Sequence, residues 1–258
     1  MSKQGIVSLE GVCMNYQDLE GETPALKNID LEVQEGEFIG IVGPSGCGKS
    51  TILSLIAGLI KPCSGQVKIE GKEVEGPSSK VGYMLQQDHL FEWRTILQNV
   101  MLGLEIQKKA NEENKKKVMK LLDTYGLGDF KNHYPRQLSG GMRQRVALIR
   151  TLAVDPKILL LDEPFSALDY QTRLALSDEV ADIIKKEKKT ALLVTHDISE
   201  AISMCNRVIV LSKRPGVIKS SHDIHLSGEK RNPVSLRKAP EFREYFNIIW
   251  EELDVHVN

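Results

Sequence analysis

Gly43-Pro44-Ser45-Gly46-Cys47-Gly48-Lys49-Ser50-Thr51 fills every fixed position of the pattern GxxxxGK[ST]. It follows the apolar run Phe38 to Val42 and opens an apolar stretch from Lys49 to Ala57, so the loop is expected between a strand and a helix. The residue types make chemical sense there. Glycines let the backbone curl until successive N–H groups point at phosphate oxygens. The helix start behind them adds a partial positive charge. Lys49 is placed to reach the β- and γ-phosphates of a nucleotide, and the Ser50 hydroxyl to ligate Mg²⁺. The competing reading is a chance glycine-rich turn. The strand–loop–helix context argues against it.

Further along, Ile158-Leu159-Leu160-Leu161-Asp162-Glu163-Pro164 is an apolar strand that ends in two carboxylates. Such a strand delivers a carboxylate beside a metal, the Walker B role, so Asp162 is expected to hold Mg²⁺ through its waters. Glu163 is then the group to polarise an attacking water. Together the two motifs predict a Mg-nucleotide hydrolase. They also predict that Glu163→Gln stops turnover, and that alkylation of Cys47 blocks activity unless MgATP protects it.

Around these motifs strands come first, and the pattern changes from Asp88 to Asp155. Ile6 to Leu9, Leu26 to Val33, Gln66 to Glu70 and Val81 to Leu85 read as strands, and Asp18 to Thr23 as a polar turn. Ile96 to Ile106, Glu112 to Tyr125 and Ser139 to Val154 read as helices, which makes 88–155 a helical insertion in an α/β domain. The α/β alternation resumes at Ile158. Ile158 to Leu161 and Ala191 to Val194 suit strands buried on both faces of a parallel sheet, with Arg207 to Leu211 as a further strand. Asp169 to Lys186 has helical spacing, and Asp197-Ile198-Ser199-Glu200 resembles a capping box. Residues 213–238 are polar and weakly patterned. From Pro240 an amphipathic helix aligns Phe242, Tyr245, Phe246, Ile249 and Leu253.

Composition narrows the function. The chain has 258 residues, with 34 Lys+Arg against 35 Asp+Glu and a net charge of −1. A nucleic-acid-coating protein is normally basic, so no nucleic-acid partner is expected. No run of 18 apolar residues and no signal-peptide core is present, which predicts a cytosolic chain held at a membrane, if at all, by something else. Cys13, Cys47, Cys63 and Cys205 have no zinc spacing and read as reduced thiols. The six histidines are scattered.

Leu138-Ser139-Gly140-Gly141-Met142-Arg143-Gln144-Arg145 resembles the signature sequence of ABC ATPases, usually LSGGQ, with Met142 in place of the common Gln. On its own terms Ser139 caps a helix start, where Gly140 and Gly141 expose N–H groups. The resemblance implies a head-to-tail homodimer in which Ser139, Gly140, Gly141 and the D-loop Asp169 (Ser166-Ala167-Leu168-Asp169) meet ATP held by the partner's Walker A loop. It further implies adenine stacking on Tyr16, a Q-loop glutamine at Gln86 that contacts Mg²⁺ or its water, and a switch histidine at His196 that touches the γ-phosphate. Gln87 directly follows Gln86, so the register is slightly open, with Gln86 preferred. The likeness spans about Val7 to Leu211. The fold it implies is a P-loop NTPase (RecA-like) core with an N-terminal antiparallel β subdomain and an inserted helical subdomain. The division is 1–87 with 156–212, then 88–155, then a C-terminal extension at 213–258.

A narrower resemblance joins Glu92-Trp93-Arg94-Thr95-Ile96-Leu97-Gln98-Asn99-Val100 to the PWRTVLDNV segment of nitrate/sulfonate/taurine importers, a family that also takes up bicarbonate and thiamine precursors. Leu161 to Arg173 and Leu211-Ser212-Lys213-Arg214-Pro215-Gly216 fit the same group. Glu92 departs from its usual Pro, and Ile149-Arg150-Thr151 from its usual Ala-Arg-Ala. The resemblance implies ATP and Mg²⁺, polytopic permease subunits, an extracytoplasmic solute-binding protein acting indirectly, and a peripheral place on the cytoplasmic face of the membrane. It puts the segment after Gln86 in the groove for the permease, with Trp93 either an anchor there or packed within the helical insertion. The rivals are a soluble ABC ATPase of DNA repair or translation, and a small-molecule P-loop kinase.

Overall fold

The structure is a computed structural model and describes residues 5–18, 21–166, 168–227 and 233–253. In chain order its elements are β1 (Val7–Asp18), β2 (Gly21–Val33), β3 (Phe38–Val42), α1 (Lys49–Ile56), β4 (Ser64–Ile69), β5 (Lys72–Glu73), β6 (Val81–Met84), α2 (Ile96–Ile106), α3 (Glu112–Thr124) and α4 (Gly140–Ala153). There follow β7 (Ile158–Asp162), α5 (Tyr170–Lys186), β8 (Thr190–Val194), α6 (Ile198–Met204), β9 (Arg207–Leu211), β10 (Ile218–Asp223), α7 (Pro233–Leu236) and α8 (Pro240–Glu252). They pack as two units, one of Met1–Ser78 with Leu176–Asn258 and one of Ser79–Ala175.

The first unit holds two kinds of sheet. β1 pairs antiparallel with β2 on one side and β4 on the other, and β5 follows on β4. β3 lies parallel to both β8 and β9, and β10 closes antiparallel on β9. Every residue of β3 and of β8 is buried. Their apolar sequences reflect that two-sided burial, which is worth roughly 1.5–3 kcal/mol for each Val, Leu, Ile or Phe. α6 lies close on β3: a Cβ on Gly40 would stand 3.1 Å from Ala201 Cβ and Cys205 Sγ.

Three expectations needed revision here. β1 runs nine residues past Leu9, because bulges between Leu9 and Asn15 break the alternation that marks a strand. Gly11, at φ 58, forms part of that irregularity and donates its N–H to Asp30 Oδ1 at 2.7 Å. Gly21 to Thr23, read as turn, belong to β2, while residues 19 and 20 lie outside the described residues. The weakly patterned stretch after Lys213 contains β10 and α7. β10 alternates half-buried and exposed residues as an edge strand does, and His222 Nε2 ties it to Glu252 Oε2 of α8 at 2.9 Å. On α8 the aligned positions Phe242, Tyr245, Phe246, Ile249 and Leu253 are the more enclosed ones.

The second unit pairs β6 parallel with β7 and packs α2 and α3 on α4. α2 begins with a capping box of Thr95 and Gln98. Among the described residues no helix is long and apolar enough to cross a membrane.

Candidate functional site

In the first unit the phosphate loop bridges β3 and α1, as its sequence requires. Gly46 (φ 74) and Gly48 (φ 105) adopt left-handed backbone, and a Cβ on Gly48 would also strike Leu26 Cδ2 at 2.5 Å. Cys47 N–H closes a turn onto the Pro44 carbonyl at 3.3 Å. Lys49 is only 7% exposed. Its Nζ donates to the Gly43 carbonyl at 2.8 Å and the Pro44 carbonyl at 3.0 Å, so the ammonium is already aimed at the loop it would serve. Ser45, Gly46 and Ser50 are exposed, and Thr51 is buried. Thr51 Oγ1 shares a 3.1 Å hydrogen bond with the Tyr16 hydroxyl, which pins the half-exposed Tyr16 ring beside the loop.

Cys47 differs from its expectation. It is 1% exposed, and burial pushes its thiol up despite the nearby Lys49 charge. A thiol so placed is a poor nucleophile. Its burial argues against the expected alkylation block: Cys47 packs within the loop, with its Sγ 2.7 Å from where a Gly43 Cβ would stand. His196 is exposed on the turn between β8 and α6. The capping box read at Asp197 is half made. Asp197 Oδ1 accepts from the N–H groups of Ser199 and Glu200, but buried Thr195 donates its hydroxyl to Glu200 Oε2 at 2.7 Å, and Asp197 N–H goes to Thr195 Oγ1.

In the second unit β7 ends as anticipated. Asp162 is buried and accepts from the Tyr83 hydroxyl at 3.2 Å. Glu163 follows at φ 45, a backbone region that costs a non-glycine residue about 1 kcal/mol or more and tends to occur at functional sites. Gln86 Nε2 donates to Glu163 Oε2 at 2.9 Å, so it is Gln86 whose amide meets the second strand-end carboxylate. Ser139 caps α4, its Oγ accepting from Met142 N–H at 3.4 Å. A Cβ on exposed Gly140 would meet nothing within 4 Å, whereas one on Gly141 would stand 3.2 Å from Leu168 Cδ2. Asp169 accepts from Thr172 N–H at 3.1 Å, and hydrogen bonding from Thr172, its hydroxyl first and its N–H second, draws the carboxyl below the usual range. Ala167 of the D-loop lies outside the described residues. Trp93 is 74% exposed and stacks on Phe91 at 4.9 Å between ring centroids. That rules out a Trp packed inside the unit.

Ser50 in the first unit, and Asp162 and Gln86 in the second, each offer a hard oxygen donor of the kind Mg²⁺ prefers. Among the described residues no three His, Cys, Asp or Glu side chains form a metal cage. Sequence reasoning missed Tyr83, Asn99 and Gly216. Asn99 is fully buried and braces Phe91, Arg94 and Thr95. Its signal was a polar residue among the apolar positions Ile96, Val100 and Leu104 of one helix face.

A glycine loop at a strand–helix junction, a buried strand ending in Asp-Glu, and a serine-capped Gly-Gly helix start define a nucleotide-hydrolysing cassette of P-loop type. The solved dimeric post-hydrolysis structure of the ATP-binding cassette MJ0796 bound to ADP and Pi matches with a TM-score of 0.76 at 35% identity, over 85% of this chain and 99% of that one. A family model described as ABC transporter matches residues 26–166. The chain belongs to this ABC transporter family, as an ATP-binding ATPase subunit. It is 47% identical over 246 residues to the uncharacterized ABC transporter ATP-binding protein YtlC of Bacillus subtilis, which covers 95% of each chain. It is 44% identical over 229 residues to the nitrate import ATP-binding protein NrtD of Synechocystis sp., which covers 87% of this chain and 86% of that protein.

Proposed function

We propose that the chain hydrolyses ATP to energise uptake of a small solute of the nitrate, sulfonate, taurine or thiamine-precursor kind. It works as a homodimer bound to polytopic membrane subunits on the cytoplasmic face, and an extracytoplasmic solute-binding protein contributes indirectly. Similarity over 87% of this chain and 86% of a nitrate import ATP-binding protein supports an importer over a soluble ABC ATPase of repair or translation.

The observation that carries the ATPase reading is Glu163. It stands at the end of a buried strand, next to buried Asp162, with its backbone at φ 45 and its carboxylate on Gln86. In this reading Glu163 accepts a proton from the attacking water. Lys49 and the backbone N–H groups of the Gly43–Thr51 loop, all but Pro44, take the β- and γ-phosphates, and His196 takes a γ-phosphate oxygen. Tyr16 stacks the adenine. Ser139, Gly140, Gly141 and Asp169 meet the ATP held by the second copy. Mg²⁺, held by Ser50, Asp162 and Gln86 when bound, neutralises phosphate charge. In this reading residues 88–155 are the helical subdomain, 1–87 with 156–212 the α/β core, and 213–258 an extension. Exposed Trp93 with Phe91 beneath it supports a docking role for the segment after Gln86.

Glu163→Gln tests the reading. Turnover should fall by about 10²–10⁴-fold, and MgATP should shift the variant to a stable dimer on size exclusion. Wild-type turnover in this variant would contradict the assignment.

A further inference from the structure

Residues 86–94 form no helix or strand, yet the second unit grips them on two sides. From α4, Gln144 Nε2 donates to the Gln86 carbonyl at 3.2 Å. Arg143 donates through Nε to Asp88 Oδ2 at 2.8 Å and through Nη2 to Asp88 Oδ1 at 3.1 Å. Its Nη1 lies 2.9 Å from Glu92 Oε1. Arg150 donates to the Asp88 carbonyl at 2.6 Å and the His89 carbonyl at 2.8 Å. From α2, Asn99 accepts from Phe91 N–H at 2.8 Å and donates to the Phe91 and Arg94 carbonyls, each at 3.1 Å.

The two ends of the segment face other tasks. Gln86 holds Glu163 at one end, and Trp93 is exposed at the other. The Arg143 guanidinium joins them, because two carboxylates of the segment converge on it. The Arg143 and Asp88 side chains are 26% and 21% exposed, so their bond is less screened than a surface pair. The paired N–H···O geometry is one that lysine cannot copy. Glu92 stands where the resembling importer segment usually has proline. The second carboxylate on Arg143 is therefore a feature this chain adds to that pattern.

We propose that Arg143 is a positioning residue that mounts the Gln86–Trp93 segment on α4, so that a pull on Trp93 is delivered through Gln86 to Glu163. The source of the pull, a membrane subunit, rests on the transporter reading. The mount does not. Between Gln86 and Trp93 the segment is held at Asp88 and Glu92 by Arg143 and at the Asp88 and His89 carbonyls by Arg150, so displacing it loads charge-assisted bonds. Arg143 thereby acts on the general base without touching nucleotide.

The experiment uses the full chain with Trp250→Phe, which leaves Trp93 as the one tryptophan. Arg143→Leu should lower Trp93 fluorescence anisotropy and lower kcat by about tenfold, with KM for ATP changed less than about twofold. Arg143→Lys and Glu92→Pro, milder changes that keep the fold in hand, should each give a smaller loss of the same kind. The decisive arm repeats Arg143→Leu in a Gln86→Ala background, where it should cost less than about twofold more. An equal loss in both backgrounds would overturn the proposal, as would unchanged Trp93 anisotropy. If the starting protein hydrolyses no ATP, the ATPase reading fails, and the anisotropy arm still decides the mount.

Discussion

Cys47 and Asp88 show how surroundings decide what a side chain can do. Cys47 lies in the phosphate loop, where its position in the sequence suggests a reactive thiol, but its Sγ is buried and its thiol is pushed up by that burial. Cys63 is exposed, and the Ser64 and Asn28 hydrogen bonds draw the Cys13 thiol down. Maleimide at neutral pH should therefore label Cys63 and Cys13 well before Cys47, and mass spectrometry of digests reads the order. Asp88 works the opposite way. Burial pushes its carboxyl up, but the Arg143 bond, the Leu90 N–H and the charges of Arg143 and Arg150 outweigh it and hold the group below its usual range. A depressed carboxyl contributes stability above its unfolded pKa of about 3.9 and loses it as pH falls through the lower folded value. Wild type should exceed Asp88→Asn in denaturant stability at pH 7, and the gap should shrink on acidification below about pH 4. Gly140 makes a third case. A Cβ there meets nothing within 4 Å, so packing does not demand glycine. Gly140→Ala should leave the melting temperature nearly unchanged, at about 1 kcal/mol or less, while ATP turnover falls because the added methyl obstructs approach to the helix start.

At the scale of elements, legibility followed periodicity. β3 is an unbroken apolar run, β7 and β8 are apolar but for Asp162 and Thr190 at their ends, and α1, α2 and α4 have helical spacing. All were readable because one pattern fills the whole element. β1 was cut short because its bulges offset the alternation. β10 escaped because an edge strand carries polar side chains on its open face. The Leu211-to-Gly216 stretch was noticed only for its resemblance, and its physical role is now plain. Gly216 donates to the Ala25 carbonyl and accepts from Lys27 N–H, each at 2.9 Å, and so is fixed against β2. A Cβ at Gly216 would stand 2.1 Å from the Cys47 carbonyl oxygen, a backbone atom that cannot swing away. Gly216→Ala should cost about 1–3 kcal/mol of stability, as overpacking does, and should weaken ATP affinity by displacing the loop. Thermal unfolding and nucleotide titration check the two effects. Of the candidate site, the strand-end acids and the glycine loop could be read directly. Tyr83 on Asp162 and Thr51 on Tyr16 could not, since each bond depends on elements brought together by folding, whereas Asn99 bonds locally to Phe91, Arg94 and Thr95 and leaves a trace as a polar residue on an apolar helix face.

For the molecule as a whole, each unit carries part of the machinery that the sequence strings along one chain. Met1–Ser78 with Leu176–Asn258 holds the phosphate loop, Tyr16 and His196. Ser79–Ala175 holds Gln86, Asp162, Glu163 and the signature helix. The overall class was legible because its motifs are short, ordered and tied to element ends. The unit division was less so, since it falls within α5, where the apolar spacing runs on without a break. The central claim is that this ATPase drives partner membrane subunits. It is tested most directly by isolating the tagged chain at native abundance from detergent-solubilised membranes of its own cells. The account predicts a multi-span membrane protein in equal amount to the ATPase, with ATP hydrolysis in the isolated complex that Glu163→Gln removes. Recovery of the active ATPase entirely in the soluble fraction, with no membrane protein attached, would contradict it.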